Sequence, residues 1–262
     1  MDSFPMGKVT LMNKISLVYP CYNAQKMLQL QMSIWAGYPD LVRKLLEIVI
    51  VDDCSSFPTV ADIVRNGPLL PLLDLKVLRI CEDIPWNQHG ARNLGAHVAN
   101  SRWLLMLDIK HTVNSQSMFN LMKADLDTDF FYTFPCFRIE EDGSRWMEDR
   151  DGRPIKPHPN TYLVTKQKFW ESGGYDEDYC GTYGGDGPFM RGLERVAKRE
   201  YLPDFYITRW SPWIISDSMS HGGLRPIRDQ GKTAYLNSRT AKVSSGKVYP
   251  INPMRFKWER VL

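Results

Sequence analysis

Asp186 stands in the run Gly184-Gly-Asp-Gly-Pro188, directly before the periodic stretch Phe189-Met-Arg-Gly-Leu-Glu-Arg-Val196. Glycines at 181, 184 and 185 remove side-chain bulk and admit positive φ, so the backbone there can come close to a ligand. Gly187-Pro188 suits the first turn of a helix, and the pattern predicts Asp186 at an N-cap facing a cleft. A carboxylate so placed can take a proton from a hydroxyl as a general base. It can equally do no more than cap the helix. The helix dipole at such a position lowers its pKa, which keeps it ionised. Asp176, Glu177 and Asp178 crowd the preceding turn, as acceptor contacts or as solvated charges.

Two further acidic positions, Asp52-Asp53 and Asp108, each follow an apolar run. Carboxylates at neighbouring strand ends can hold a nucleotide without a glycine-rich phosphate loop: Asp53 by accepting uracil N3–H or a ribose hydroxyl, Asp108 by meeting ribose or a metal-bound water. Arg92 offers a planar fork to a base or a phosphate. Each has a plainer alternative, an Asx turn of Asp53 with Ser55-Ser56 and a surface helix position for Arg92.

The elements that must position these groups alternate. Residues 15–19, 48–51, 76–80 and 103–107 read as strands; 24–36, ending at Gly37, and 91–100 read as helices. This βαβ rhythm predicts a mostly parallel sheet covered by helices, with ligands outside the carboxyl ends of the strands. Tyr22-Asn23, Asp52-Asp53 and Asp108 fall at those ends. Beyond them, 130–137 reads as a strand, 140–152 as a charged hairpin or loop, 161–165 as a short strand and 166–171 as a helix. That half is expected to continue the same sheet on the acceptor side.

In order, Pro20-Cys-Tyr-Asn23, Val51-Asp-Asp-Cys-Ser-Ser56, Gly90-Ala-Arg-Asn-Leu-Gly95, Leu107-Asp108 and Gly173-Gly-Tyr-Asp-Glu-Asp-Tyr179 with Gly184-Gly-Asp186 resemble the successive motifs of glycosyltransferase family 2. The resemblance spans about residues 13–197. It implies an α/β GT-A (Rossmann-like) fold, a UDP-sugar donor and, usually, inversion at the anomeric carbon. By position it implies nucleotide contacts from Tyr22, Asn23, Asp53, Arg92 and Asp108, and a base at Asp186. Taken with the charge distribution, the expected organisation is a domain over 1–221, with a nucleotide half at about 13–113 and an acceptor half at about 114–221, followed by a basic extension over 222–262.

The family pattern breaks at the metal motif. Where Asp-x-Asp is expected the chain has Asp108-Ile-Lys-His111, a cation in place of the second carboxylate. A protonated lysine repels a divalent ion. Either Lys110 neutralises the leaving diphosphate without a metal, or Asp108, His111 and a distant histidine bind Mn²⁺ or Mg²⁺. His221, in Ser218-Met-Ser-His-Gly-Gly223, resembles the late histidine that many GT-A enzymes use as a metal or diphosphate contact. His89 reads as a loop residue beside the nucleotide.

Composition bounds the rest. With 262 residues and 43% hydrophobic content, one substantial core is affordable. Five scattered cysteines without a Cys-x-x-Cys pair suggest neither a zinc site nor a disulfide framework and fit a reducing cytosol. No leader-like apolar segment opens the sequence, and no apolar run is long enough to span a bilayer, so a soluble cytoplasmic protein is expected. Net charge is +3, yet residues 222–262 hold nine Lys and Arg against Asp229 and Glu259. That asymmetry suits a polyanion or an acidic membrane surface, or else simple solvation. The acceptor expected on these grounds is a polyanion such as hydroxymethylated DNA, while the family resemblance implies a saccharide or lipid-linked hydroxyl. A non-catalytic nucleotide-sugar or glycan-binding protein is the alternative class.

Overall fold

The computed structural model describes residues 12–139, 156–181, 184–211, 214–215 and 253–262, together with the backbone of 145–146. The first half runs β1 (Ile15–Cys21), α1 (Gln25–Ala36), α2 (Asp40–Lys44), β2 (Leu46–Asp52), α3 (Val60–Asn66), β3 (Asp74–Ile80), α4 (Gln88–Val98) and β4 (Trp103–Met106). The second half contributes β5 (His111–Thr112), α5 (Ser115–Lys123), β6 (Phe130–Thr133), β7 (Cys136–Ile139), β8 (Arg145–Trp146) and β9 (Tyr162–Thr165). It continues with α6 (Lys166–Glu171), a single 3-10 turn at Glu177–Tyr179, α7 (Asp186–Val196), β10 (Lys198–Tyr201), β11 (Ile207–Trp210) and β12 (Trp258–Arg260).

Among the described residues eight strands make the main sheet, in the order β10-β6-β9-β4-β1-β2-β3-β12, and four make a second, in the order β5-β11-β7-β8. Strands β1 to β4 are mutually parallel, as the alternating pattern predicts, while β9 runs antiparallel to β4 and β6. The second half continues the main sheet through β6, β9 and β10, while β5, β7, β8 and β11 form the second sheet. The expected single strand at 130–137 is instead two, β6 in the main sheet and β7 in the second. They part at Phe134-Pro135, where proline has no N–H for a ladder and its carbonyl accepts from Ile207.

Both faces of the central strands are buried, which is why β1 and β2 read as continuous apolar runs. Ile15, Leu17 and Tyr19 point to the layer formed by α1, α2, α3 and α5; Val18, Val49 and Val51 point to the layer of α4, α6 and α7. Burial of side chains of this size contributes about 1.5–3 kcal/mol each. α4 lies close on the sheet because residue 95 is glycine: a Cβ there would collide with the Val18 side chain.

Most of the expected basic extension over 222–262 lies outside the described residues; its last ten residues, 253–262, are described. β12 is the antiparallel edge strand of the main sheet, beside β3. Phe256 is buried against Gly90, and Val77 and Leu262 are joined by backbone hydrogen bonds.

At the amino ends of β1 to β3, Glu47 is buried and accepts from Ser16, from the Lys76 ammonium and from the Asn100 amide. Burial alone would raise its pKa; these donors outweigh that and hold it below the ordinary glutamate value. Breaking such a buried pair from one side costs about 3–5 kcal/mol. Glu47→Ala should therefore lose stability of that order in urea unfolding. Because the folded-state pKa is depressed, the contribution is present above about pH 4.5 and disappears as pH falls through the folded value. Wild type should accordingly lose more stability on acidification than Glu47→Gln.

Candidate active site

A cleft of about 350 Å³ opens at the carboxyl ends of β1, β2 and β4, lined among others by Tyr22, Asp53, Arg92, Asp108, Lys110, His158, Asp186 and Arg209. A smaller pocket of about 80 Å³ adjoins it and shares Tyr22, Asp53, Trp86 and Gln88 with it. Five of the nucleotide contacts expected from sequence, Tyr22, Asp53, Arg92, Asp108 and Lys110, thus meet in one place. Asn23 is not among the residues that line either pocket. Its side-chain oxygen accepts from the Ser56 amide and hydroxyl at 2.9 and 2.8 Å, which latches the end of β1 to the loop after β2.

The adjacent carboxylates Asp52 and Asp53 divide their work. Asp52 is structural: it accepts from Arg79 at 2.6 Å and from the Ser55 amide at 2.8 Å. Asp53 faces the cleft, is 6% exposed, and accepts from the Asn87 amide group at 3.1 Å. Burial pushes its pKa up to about 7, with Asn87 opposing and Asp52 and Asp83 adding to the rise.

Asp108 follows β4 and accepts from the guanidinium of Arg92. Arg92, on α4, is 1% exposed, bonds Gln88 at 3.0 Å and lies 5.5 Å from the Tyr175 ring centroid. A surface position for Arg92 is therefore excluded; its fork is turned inward. Burial opposes ionisation of Asp108, but Arg92, His158, His111 and Lys110 more than offset it, and its pKa lies well below the usual carboxylate range. Gln31 of α1 fixes the segment that follows, donating to the carbonyls of Ile109 and His111 at 2.8 Å each.

His111 is fully buried, with Nδ1 2.6 Å from the Thr161 hydroxyl and Nε2 without a hydrogen-bond partner among the described residues. Its pKa is pushed well down, by burial first and then by His158, so the ring is neutral. Nε2 of His158 lies 3.7 Å from Asp108, and the two imidazoles meet edge to face at 4.6 Å. One ligand atom each from Asp108, His111 and His158 lies within 4.8 Å of the others. A neutral imidazole with a bare buried nitrogen, a second imidazole and a carboxylate form a donor set that fits a divalent transition metal. His221, the third ligand expected from sequence, lies outside the described residues. His158 was not anticipated: only the antiparallel register of β9 on β4, Tyr162 opposite Met106, carries residues 158–161 alongside 107–111.

Asp186 is the first residue of α7 and not its cap; Gly185 holds the cap position and Asp186 makes no capping bond. The side chain is 25% exposed and approaches Nε2 of His89 at 3.6 Å. Burial would raise its pKa, but His89 and then Arg92 outweigh that and lower it, so the expected ionised state has a cause other than the cap. His89 itself is not in a loop: it lies on α4, 1% exposed.

A buried arginine that neutralises a strand-end carboxylate, a second carboxylate at the mouth of an adjoining pocket, and Asp186 thus meet at the carboxyl ends of one mostly parallel sheet, the architecture of a GT-A fold. The sequence matches Glycosyl transferase family 2 over residues 16–183, and the chain belongs to that family. No curated protein sequence matches it significantly. Among solved structures it is similar to S. aureus TarS 1-349 in complex with UDP-GlcNAc, at 18% identity and TM-score 0.59, covering 76% of this chain and 58% of that one. It is similar to the mannosyltransferase PcManGT from Pyrobaculum calidifontis in complex with GDP-Man and Mn²⁺, at 13% identity and TM-score 0.56, covering 94% and 68%. GalNAc-T7 with UDP, GalNAc and Mn²⁺ matches at 17% identity and TM-score 0.54, covering 76% and 44%. The chain spans about three fifths of the TarS 1-349 chain. Among the described residues no helix is long and apolar enough to cross a membrane.

Asp53 sets a pH signature. Its folded pKa is raised from 3.8 to about 7, so the stability it contributes is complete below about pH 4 and is lost as pH rises towards 7. Asp53→Asn should gain on wild type across that window at up to about 1.4 kcal/mol per pH unit, read from urea midpoints between pH 4 and 8.

Proposed function

We propose that the protein transfers a sugar from a UDP-sugar to an acceptor hydroxyl in a single, inverting displacement, with Asp186 as the base. The observation that carries this reading is the joint lining of one cleft by an ionised Asp186 and by the cationic groups around Asp108. A single displacement needs a proton acceptor for the incoming hydroxyl and stabilisation of charge on the departing diphosphate. Asp53, at the mouth of the adjoining pocket, accepts uracil N3–H, and Tyr22 lines the same pocket. The UDP in the TarS and GalNAc-T7 complexes supports a uridine donor.

Asp108, His111 and His158 would hold Mn²⁺, or less suitably Mg²⁺, with His221 as a further candidate. Such an ion supplies charge stabilisation to the diphosphate oxygens. Lys110, which lines the same cleft, adds a cation for that diphosphate. Arg92 keeps Asp108 ionised and oriented from below.

The acceptor is a hydroxyl on a polyanion, with hydroxymethylated DNA as the case that the basic content of 222–262 supports; a saccharide or lipid-linked acceptor is the competing reading, and the two are separable by mass spectrometry of products. A binding protein without turnover is the remaining alternative. Asp186→Asn keeps the side-chain shape and should lower transfer about 10²–10⁴-fold while UDP affinity, measured by calorimetry, barely changes. Near-normal turnover would move the base elsewhere, with Asp176 or Asp178 next.

The ion has its own test. Mn²⁺ titration followed by electron paramagnetic resonance should report a site that weakens in His111→Ala and His158→Ala by more than the roughly 10–100-fold that supporting partners of a ligand contribute. Turnover that survives EDTA and collapses in Lys110→Ala would instead assign the diphosphate charge to the lysine.

A further inference from the structure

His89 is a buried group beside Asp186 that the transfer scheme leaves unused. It is 1% exposed, and neither ring nitrogen has a hydrogen-bond partner within the described residues. A buried polar side chain without partners is costly, and natural structures keep one where it has work to do. The ring is also held firmly. It stacks on Tyr175 at 5.3 Å, which itself stacks on Phe189 of α7 at 3.9 Å, and Tyr179 meets it edge-on at 6.3 Å.

Its Nε2 points at Asp186, 3.6 Å from Oδ1, and that oxygen too is buried and unpartnered. Since Oδ1 has no exposed surface, the 25% exposure of the Asp186 side chain lies on its remaining atoms, Oδ2 among them. The two oxygens therefore face different surroundings. Gly185 makes the approach possible: a Cβ at 185 would stand 2.5 Å from Cε1 and 2.6 Å from Nε2 of His89.

We propose that His89 is the positioning residue of Asp186, holding Oδ1 from behind through Nε2–H so that Oδ2 is presented to the acceptor hydroxyl. This rests on the reading of Asp186 as the base. In the transfer step the hydroxyl proton passes to Oδ2, the hydroxyl oxygen bonds the anomeric carbon, and the bond to the diphosphate breaks with its electron pair. His89 takes no proton in that sequence. Its N–H fixes the carboxylate before reaction, much as an orienting partner fixes a catalytic side chain.

The groups that act on Asp186 are His89 and Arg92 from α4 and Asp108 after β4, and the buried Tyr162 and Tyr175 are coupled to it as well. Of these His89 is the one set against Oδ1. Its removal should raise the proton affinity of Asp186 even though Arg92 remains.

Protein labelled with ¹³C at the aspartate carboxyls gives a direct reading, the Asp186 signal being the one absent from Asp186→Asn. His89→Phe keeps a stacking ring and removes the donor; it should raise the Asp186 titration midpoint by about one pH unit or more, a tenfold change in proton affinity. His89→Gln, which restores an N–H donor, should fall between that variant and wild type, and it serves as the test if His89→Phe does not fold. UDP affinity should be unchanged in both. A midpoint that does not move in either variant overturns the inference, whatever Asp186→Asn does to turnover. Conversely, Asp186→Asn with normal turnover defeats the base assignment while the titration still reports whether His89 holds the carboxylate.

Discussion

A guanidinium that is 1% exposed has to be compensated where it stands, and the site is arranged around that requirement at Arg92. Arg92 reaches from α4 to Asp108 at the end of β4, bonds Gln88, and lies over Tyr175 in the loop before α7. Its charge permits carboxylates to remain ionised in a largely enclosed cleft. Asp108 is held far below its ordinary pKa and Asp186 is lowered too, whereas Asp53, with Asn87 as its neutral partner and Asp52 and Asp83 nearby, is driven up to about 7. Three aspartates on one cleft thus acquire two kinds of acidity: Asp108 and Asp186 are lowered by the groups set against them, Arg92 and His89 first, while burial raises Asp53.

Holding that geometry falls to elements remote from the chemistry. Gln31 of α1 pins the backbone of 109–111, and Tyr38 donates to the Val113 carbonyl at 2.6 Å, so the segment that carries Lys110 and His111 is tied to the helical layer on the far side of the sheet. The loop before α7 is tied down from two directions. Asn93 of α4 binds both the N–H and the carbonyl of Tyr175, at 2.9 and 2.8 Å. Glu177 in the same loop accepts from the Met254 amide at 2.6 Å, and Arg255 bonds Asp178 at 2.6 Å. The edge strand β12 and the residues before it therefore brace the loop that precedes α7 as well as closing one edge of the sheet.

Much of the fold was legible because its strands bury both faces. Runs such as Leu46-Glu-Ile-Val-Ile-Val51 cannot be solvated on either side, and their alternation with helical stretches leaves a parallel sheet as the natural solution. The strand-end positions of Tyr22, Asp53 and Asp108 followed from the same rhythm. β7 and β11 were not legible, since Phe130 to Phe137 reads as one apolar run and only the pairing with 207–210 shows that Pro135 divides it between two sheets.

The sequence by itself determined the chemical inventory and its order along the sheet: a carboxylate after β2, one after β4, an arginine on the intervening helix, and Asp186 among glycines. Tertiary structure alone decided which of these groups touch. Adjacent residues on a strand point to opposite sides, so Asp52 went to Arg79 and Asp53 to the cleft. A helix start one residue earlier than expected put Asp186 inside α7, against His89. His158 joined Asp108 and His111 across about 50 residues of chain, because the β4–β9 pairing brings those segments together. Side-chain type is a local property, but partnership depends on register and on burial, and both are set by contacts between residues distant in the chain.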